Sequence, residues 1–259
     1  MGVLNLTPDS FSDGGDLASP MATADRAARM AAEGADWLDV GGESTRPGAT
    51  PVDEVEELAR VIPAIEAIRA RTGAPISIDT MKPAVARAAV AAGASLWNDI
   101  HALRAPSALE TAAELGCDVV LMHMRGEPAT MQADPRYDDV VAEVAQFLKA
   151  RARAAMAAGV AHERIWLDPG LGFGKTLAHN LELIRGLPRI AALGFPVLAG
   201  ASRKGMIRAL DSTAATATDR LGGSLAIALA AARAGAAMVR VHDVRETVQA
   251  LTVDAAIHG

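Results

Sequence analysis

Residues 75–99 read Pro75-Ile-Ser-Ile-Asp-Thr-Met-Lys-Pro-Ala-Val-Ala-Arg-Ala-Ala-Val-Ala-Ala-Gly-Ala-Ser-Leu-Trp-Asn-Asp99. A short apolar run ends in Asp79-Thr80, Pro83 opens an Ala/Val-spaced helix, Gly93 stops it, and a second apolar run ends in Asn98-Asp99. Runs rich in Val, Ile and Leu without polar alternation suit strands buried on both faces, and Pro-start with Gly-stop is the expected punctuation of a helix. This is one strand–helix–strand unit.

The unit recurs along the chain. Candidate strands are 2–6, 37–42, 75–79, 95–99, 118–124, 165–168, 196–201 and 238–242. Candidate helices are 21–34, 53–71, 83–92, 107–115, 137–158, 179–192, 219–234 and 245–257, with 211–218 a polar loop before the seventh barrel helix. Eight such units in 259 residues predict a single-domain (β/α)8 TIM barrel over residues 1–259, with a doubly wound open sheet as the alternative.

Composition narrows the function. The formal net charge of −6, without a long basic run, argues against nucleic-acid binding. No apolar run approaches the length of a membrane span, and Cys117, the lone cysteine, rules out an internal disulfide. A cytoplasmic enzyme is the expectation, with Cys117 a small buried side chain at a strand start.

In a parallel barrel the strand C-termini share one face, so the polar clusters there carry the chemistry. Asp79, Asn98 and Asp168 end strands three, four and six, and Lys204 is placed at the end of strand seven. Three acidic or amide groups with one cation suit a planar heterocycle bearing N–H donors and a carbonyl. A cap on the helix after Pro83 is the bland use of Asp79-Thr80. Ser44-Thr-Arg46-Pro-Gly48 offers a hydroxyl and a guanidinium, a set that binds phosphate oxygens. Arg240 and His242 alternate on strand eight, where barrels often bind phosphate; the alternative is a core pair neutralised by Asp243 or Glu246. Loop 7–20 is long and carries Phe11 among Ser and Asp, as a binding loop or lid does. Gly170, Gly172, Gly174 and Lys175 do not fit the nucleotide phosphate-loop spacing; they suit a sharp turn against a flat ligand. His123 is assigned a supporting role, and His101, His162, His179 and His258 show no metal-ligand spacing.

Taken together, Met1-Gly-Val-Leu-Asn-Leu-Thr-Pro-Asp-Ser-Phe-Ser-Asp-Gly-Gly15, Gly41-Gly-Glu-Ser-Thr-Arg-Pro-Gly48, Ser77-Ile-Asp-Thr80, Asn98-Asp99, Met122-His-Met124, Leu167-Asp-Pro-Gly-Leu-Gly-Phe-Gly-Lys175, Ser202-Arg-Lys204 and Arg240-Val-His-Asp-Val244 resemble the bacterial dihydropteroate synthases, pterin-binding enzymes with a (β/α)8 fold. The resemblance implies condensation of 6-hydroxymethyl-7,8-dihydropterin pyrophosphate with p-aminobenzoate, with release of pyrophosphate. It implies a pterin site of Asp79, Asn98, Met124, Asp168 and Lys204, and a pyrophosphate site of Asn5, Arg46, Arg240 and His242 with Mg²⁺ on Asn5. It implies a p-aminobenzoate site of Phe11, Thr45, Pro47, Phe173, Ser202 and Lys204. Asn5, Arg46, Asp79, Lys204 and Arg240 would be the catalytic set, and a homodimer packed through the last barrel helices is implied too. A corrinoid-linked pterin methyltransferase domain and a non-catalytic pterin-binding protein are the alternatives.

Two features depart from the family. A short strand pair usually precedes the first barrel strand and plugs the bottom; here Met1 stands almost on that strand, so either the start lies upstream or the bottom closes differently. His101-Ala-Leu-Arg104 replaces the Ser/Gly-rich run that often follows Asn98-Asp99.

Overall fold

The strands are short, and every strand pair among the described residues is parallel, as helical crossovers between strands require. The computed structural model describes residues 1–7, 19–45, 48–128 and 130–258. Strands β1 (Gly2–Asn5), β2 (Leu38–Gly41), β3 (Ile76–Asp79), β4 (Leu96–Asp99), β5 (Asp118–Met122) and β6 (Ile165–Asp168) pair in sequence order. Strands β7 (Leu198–Ala199) and β8 (Met238–Val239) pair with each other. Single bridges, Leu167 to Val197 and Gly2 to Val241, join the two sets at both seams. The neighbour order therefore runs from the first strand to the eighth and back to the first, which is the (β/α)8 barrel and not the open sheet.

Outside the ring lie α1 (Pro20–Ala32), α2 (Glu54–Arg71), α3 (Pro83–Ala91), α4 (Ala108–Leu115), α5 (Val140–Ala157), α6 (Leu177–Arg185), α7 (Leu187–Ala191), α8 (Gly205–Leu210), α9 (Leu221–Arg233) and α10 (Val244–His258). Local chemistry sets their starts. Ser19 accepts from the Ala22 amide at 3.2 Å, Asp53 from Glu56 at 2.7 Å and Asp139 from Ala142 at 2.8 Å, each filling a free donor of a first turn. Glu54, Glu56 and Glu57 begin α2, while Arg69 and Arg71 end it, as the helix dipole favours. Buried alanines at 24, 27, 64, 86 and 89 let helices lie close on the strands.

One helical expectation needs correction. The helix expected over 179–192 is two helices, α6 and α7, meeting at Gly186. A Cβ there would come within 2.5 Å of a Val141 methyl carbon, and Pro188 lacks the N–H that a continuous helix would use. The polar loop expected over 211–218 is present up to a 3₁₀ turn at Thr218–Arg220 that leads into α9, and ahead of it lies a short helix, α8, directly after Lys204.

Alternation along the strands fills the barrel interior. At its N-terminal end Met1, Leu96, Val120 and Leu198 pack with Trp37, Trp166 and Met238, and the Met1 ammonium donates to the Val239 carbonyl at 3.0 Å. These side chains close the bottom. Among the described residues no helix is long and apolar enough to cross a membrane.

Candidate active site

Two residues further along the same strands, the interior turns polar. Arg240, just past β8, reaches across the barrel: its Nε donates to Asp39 Oδ2 at 2.6 Å and its Nη2 to Asp79 Oδ2 at 2.8 Å. Asn98 Nδ2 donates to the same Asp39 oxygen at 3.4 Å. These contacts link β8 and β4 to β2 and β3, so they can only cross the interior. The bland reading holds only in part: Thr80 Oγ1 accepts the Lys82 amide at 3.2 Å just before α3, but Asp79 takes Arg240, and Asp243 takes Arg203 instead of Arg240. Arg240 is held fully charged, burial opposed by Asp39 and Asp79. Burial pushes the Asp79 carboxyl up to about 7, with Arg240 pulling the other way.

Asp168 ends β6 and is buried, its Oδ1 accepting from the Gly170 amide at 2.7 Å. Burial raises its pKa to about 6, against the Gly170 hydrogen bond and the charges of Lys204 and Lys175. The backbone then turns so tightly that a Cβ on Gly170 would lie 1.9 Å from the His123 carbonyl oxygen, and one on Gly174 2.3 Å from that of Arg125. Both glycines have positive φ, 66° and 63°. The glycine-rich reading of a sharp turn is thus met, with the loop after β5 as what the backbone lies against.

Lys204 sits five residues beyond the end of β7, as the residue before α8, and not on the strand. Its Nζ lies 4.1 Å from the centre of the Phe173 ring, a cation–π contact. Burial, then Arg240, lowers its pKa to about 8. The turn that delivers it is strained: Arg203 has φ +59°, a conformation that costs on the order of 1–3 kcal/mol for such a residue. Four contacts hold it. Arg203 N donates to Ser224 Oγ at 2.9 Å, Arg220 Nη1 donates to the Arg203 carbonyl at 2.9 Å, and the Arg203 guanidinium grips both Asp243 oxygens. Ser202 stays on the barrel side, where its Oγ accepts from the His242 amide at 3.2 Å and meets His242 Nδ1 at 3.0 Å.

A cavity of about 970 Å³ opens over this end of the barrel. Asn5, Thr45, Asp79, Phe173, Ser202, Lys204, Arg240 and His242 line it, so eight expected site residues converge. Asn98, Met124 and Asp168 are buried and do not line it. Met124 belongs to an apolar wall with Met81, Ile100, Met122, Met131 and Phe173. Phe11, Arg46 and Pro47 lie outside the described residues, as does most of the loop expected over 7–20.

Several participants escaped the sequence reading. Asp39 lies mid-strand, and only its cross-barrel partner reveals its use. Lys82 is bound by Glu43 and Glu57 at 2.6 Å each, which anchors the start of the Ser44–Thr45 segment. Lys175 is buried, its amine enclosed by backbone carbonyls and His123. The glycine spacing argues against a phosphate loop, but nothing in the sequence says that the lysine folds back into its own loop.

No group of three or more His, Cys, Asp or Glu side chains among the described residues could hold a metal ion. The Asn5 carboxamide is the neutral oxygen at the cavity edge, its Oδ1 close to Gly41 beside Asp79.

Comparison with known proteins is consistent across sequence and structure. Residues 1–242 match the family model described as pterin binding enzyme. Dihydropteroate synthase of Escherichia coli is 51% identical over 253 residues, covering 98% of this chain and 89% of the relative. The Xanthomonas albilineans dihydropteroate synthase solved with 4-aminobenzoic acid superposes with TM-score 0.93 at 53% identity, covering 100% of this chain and 92% of that one. The structure of that enzyme in complex with 7,8-dihydropteroate gives TM-score 0.90 at 50% identity, with 100% and 93% coverage.

Proposed function

The chain belongs to the pterin-binding enzymes and, within them, to the dihydropteroate synthases, and from that membership we propose how the barrel mouth works. The reaction is the condensation of 6-hydroxymethyl-7,8-dihydropterin pyrophosphate with p-aminobenzoate to 7,8-dihydropteroate and pyrophosphate. A methyltransferase or a non-catalytic binder, the other readings of the sequence, has no observation in its favour.

The observation that carries the mechanism is the single cavity in which Asp79, Lys204 and Arg240 meet Phe173 and the methionine wall. Asp168 and Asn98 accept from and donate to the edge of the pterin ring, Met124 packs on its face, and Lys204 faces its ring oxygen or nitrogen. The exocyclic C–O bond breaks as pyrophosphate leaves, and the ring delocalises the cation left on the methylene carbon. The amine nitrogen of p-aminobenzoate then forms the C–N bond and loses a proton. An aniline nitrogen is nucleophilic without a base, so placement dominates. Phe173, Ser202 and Thr45, with Phe11 and Pro47, form the place of the aromatic amine.

Arg240 and His242, with Arg46, face the departing charge; each well-placed contact is worth roughly 2.7–4 kcal/mol. For Arg240 this means exchanging Asp39 and Asp79 for phosphate oxygens, fully or in part. Asn5 would hold Mg²⁺ through one oxygen, which suits an ion that keeps most of its waters and takes the rest from phosphates. When bound, Mg²⁺ supplies neutralisation of the pyrophosphate charge. Assembly as a homodimer through α9 and α10 belongs to the same reading and is supported by Val253 and Ile257, exposed on α10. So does a cytoplasmic location, supported by the lone buried thiol.

A pyrophosphate-release assay tests the proposal. Release should require both substrates and match dihydropteroate formation one to one. Release without p-aminobenzoate at the same rate, or none with both present, would overturn it.

A further inference from the structure

The Lys175 amine has three close polar partners: the carbonyls of Gly170 and Phe173, both at 2.9 Å, and His123 Nδ1 at 2.9 Å, while burial pulls its pKa down to about 7. The His123 carbonyl lies a little further, at 3.3 Å. His123 is neutral, its pKa pushed down to about 3 by burial and then by Lys175, so one ring nitrogen is free of a proton and can accept in the tautomer protonated at Nε2. The amine is therefore spent inside the loop and is not available to an anion in the cavity.

The same loop is tied from its other side. Gln132 Nε2 donates to the Gly172 carbonyl at 2.5 Å, Tyr137 Oη to that of Gly174 at 2.8 Å, and Asn180 Oδ1 accepts from the Gly172 amide at 2.7 Å. Phe173 stands at the crest. Its ring carries Lys204 on its face, and its backbone carbonyl is held by Lys175.

We propose that Lys175 is a positioning residue for the arylamine site: by gathering the carbonyls of Gly170 and Phe173 around one buried amine, it fixes the Phe173 ring under Lys204. The inference rests on the reading of Phe173 and Lys204 as part of the p-aminobenzoate site. Displacing a substrate-contacting ring by about 1 Å can cost as much as roughly 100-fold in rate.

The test is steady-state kinetics of the full-length enzyme with Lys175→Met, beside Phe173→Ala, His123→Asn and His123→Leu. For Lys175→Met, KM for p-aminobenzoate should rise at least about tenfold, with kcat falling less and pterin affinity by calorimetry changing less than about twofold. With fluorophenylalanine at the four Phe positions, the Phe173 resonance, assigned with Phe173→Leu, should broaden in Lys175→Met. A folded Lys175→Met with unchanged KM and a sharp Phe173 signal would overturn the proposal. So would an equal loss for both substrates, which marks a merely structural lysine. If Lys175→Met does not fold, the His123 pair decides. Asn keeps an acceptor near the Nδ1 position and should keep KM, Leu should raise it, and equal values overturn the proposal. An unchanged KM in Phe173→Ala would instead sink the arylamine reading itself.

Discussion

The two ends of the barrel interior use the same strands for opposite purposes. On β4, Leu96 packs in the closed end while Asn98 donates to Asp39 at the open end. Trp166 and Asp168 divide β6 in the same way. Met238, with β8, closes the bottom, and Arg240, two residues on, bridges Asp39 and Asp79. One step of the two-residue strand period, roughly 6.6 Å, separates the regimes. The closed end contributes apolar burial, and the charge placed there, the Met1 ammonium, is met by the Val239 carbonyl. The open end carries carboxylates and cations out of water, where each stays charged only through its neighbours. Stability and chemistry are thereby separated along the barrel axis, and Arg240 is the residue that belongs to both.

Arg240→Met strains that division most. It leaves Asp39 and Asp79 buried without their cation, so unfolding in urea should show a loss of about 3–5 kcal/mol, and pyrophosphate release should be abolished. Unchanged stability would mean that the carboxylates do not need Arg240. Leu198→Ala probes the closed end. A buried Leu truncation costs roughly 2–5 kcal/mol, yet kcat/KM per folded molecule should stay within about twofold; a lower rate would show that the bottom does reach the chemistry.

Asp168→Asn should separate the two properties from the other side. Pterin affinity should drop by roughly 10- to 100-fold, the worth of one charged hydrogen bond, as calorimetry can measure. Stability should hold or rise. The folded pKa of about 6 lies above the unfolded value near 3.9, so the folded state binds the proton more tightly and ionisation opposes folding as pH rises through that window. A marked loss of stability in this variant would contradict burial as the dominant influence on Asp168. The mildest effect is in the pH profile. Free-enzyme kcat/KM should fall below about 6 as Asp168 is protonated and above about 8 as Lys204 loses its proton. Persistence of the acid limb in Asp168→Asn would assign it to another group.

Much of the fold is legible because it is local. The spacing in residues 75–99 predicts β3, α3 and β4 to within a residue or two, since burial on two faces and Pro–Gly punctuation act over a few neighbours. β7 and β8 are shorter than 196–201 and 238–242 because their outer residues meet the rest of the ring through single bridges. The break at Gly186 depends on Val141 of α5, which nothing nearby in the chain announces. Site residues follow the same rule. Asp79, Asn98 and Asp168 stand out as acids or amides at strand ends, whereas Asp39 hides within its strand until Arg240, 201 residues away, is placed beside it.

From the sequence alone came the eight repeated units, the face on which their polar ends gather, and the family whose motifs occupy those ends. Strand period, helix period and turn chemistry are short-range, and they need no partner to be read. Tertiary structure alone decided which charge meets which: Arg240 on Asp39 and Asp79, Arg203 on Asp243, Lys175 turned into its own loop. Those pairings exist only once the ring closes and brings the last strand beside the first, because a buried ion's energy depends on neighbours that the chain order does not supply.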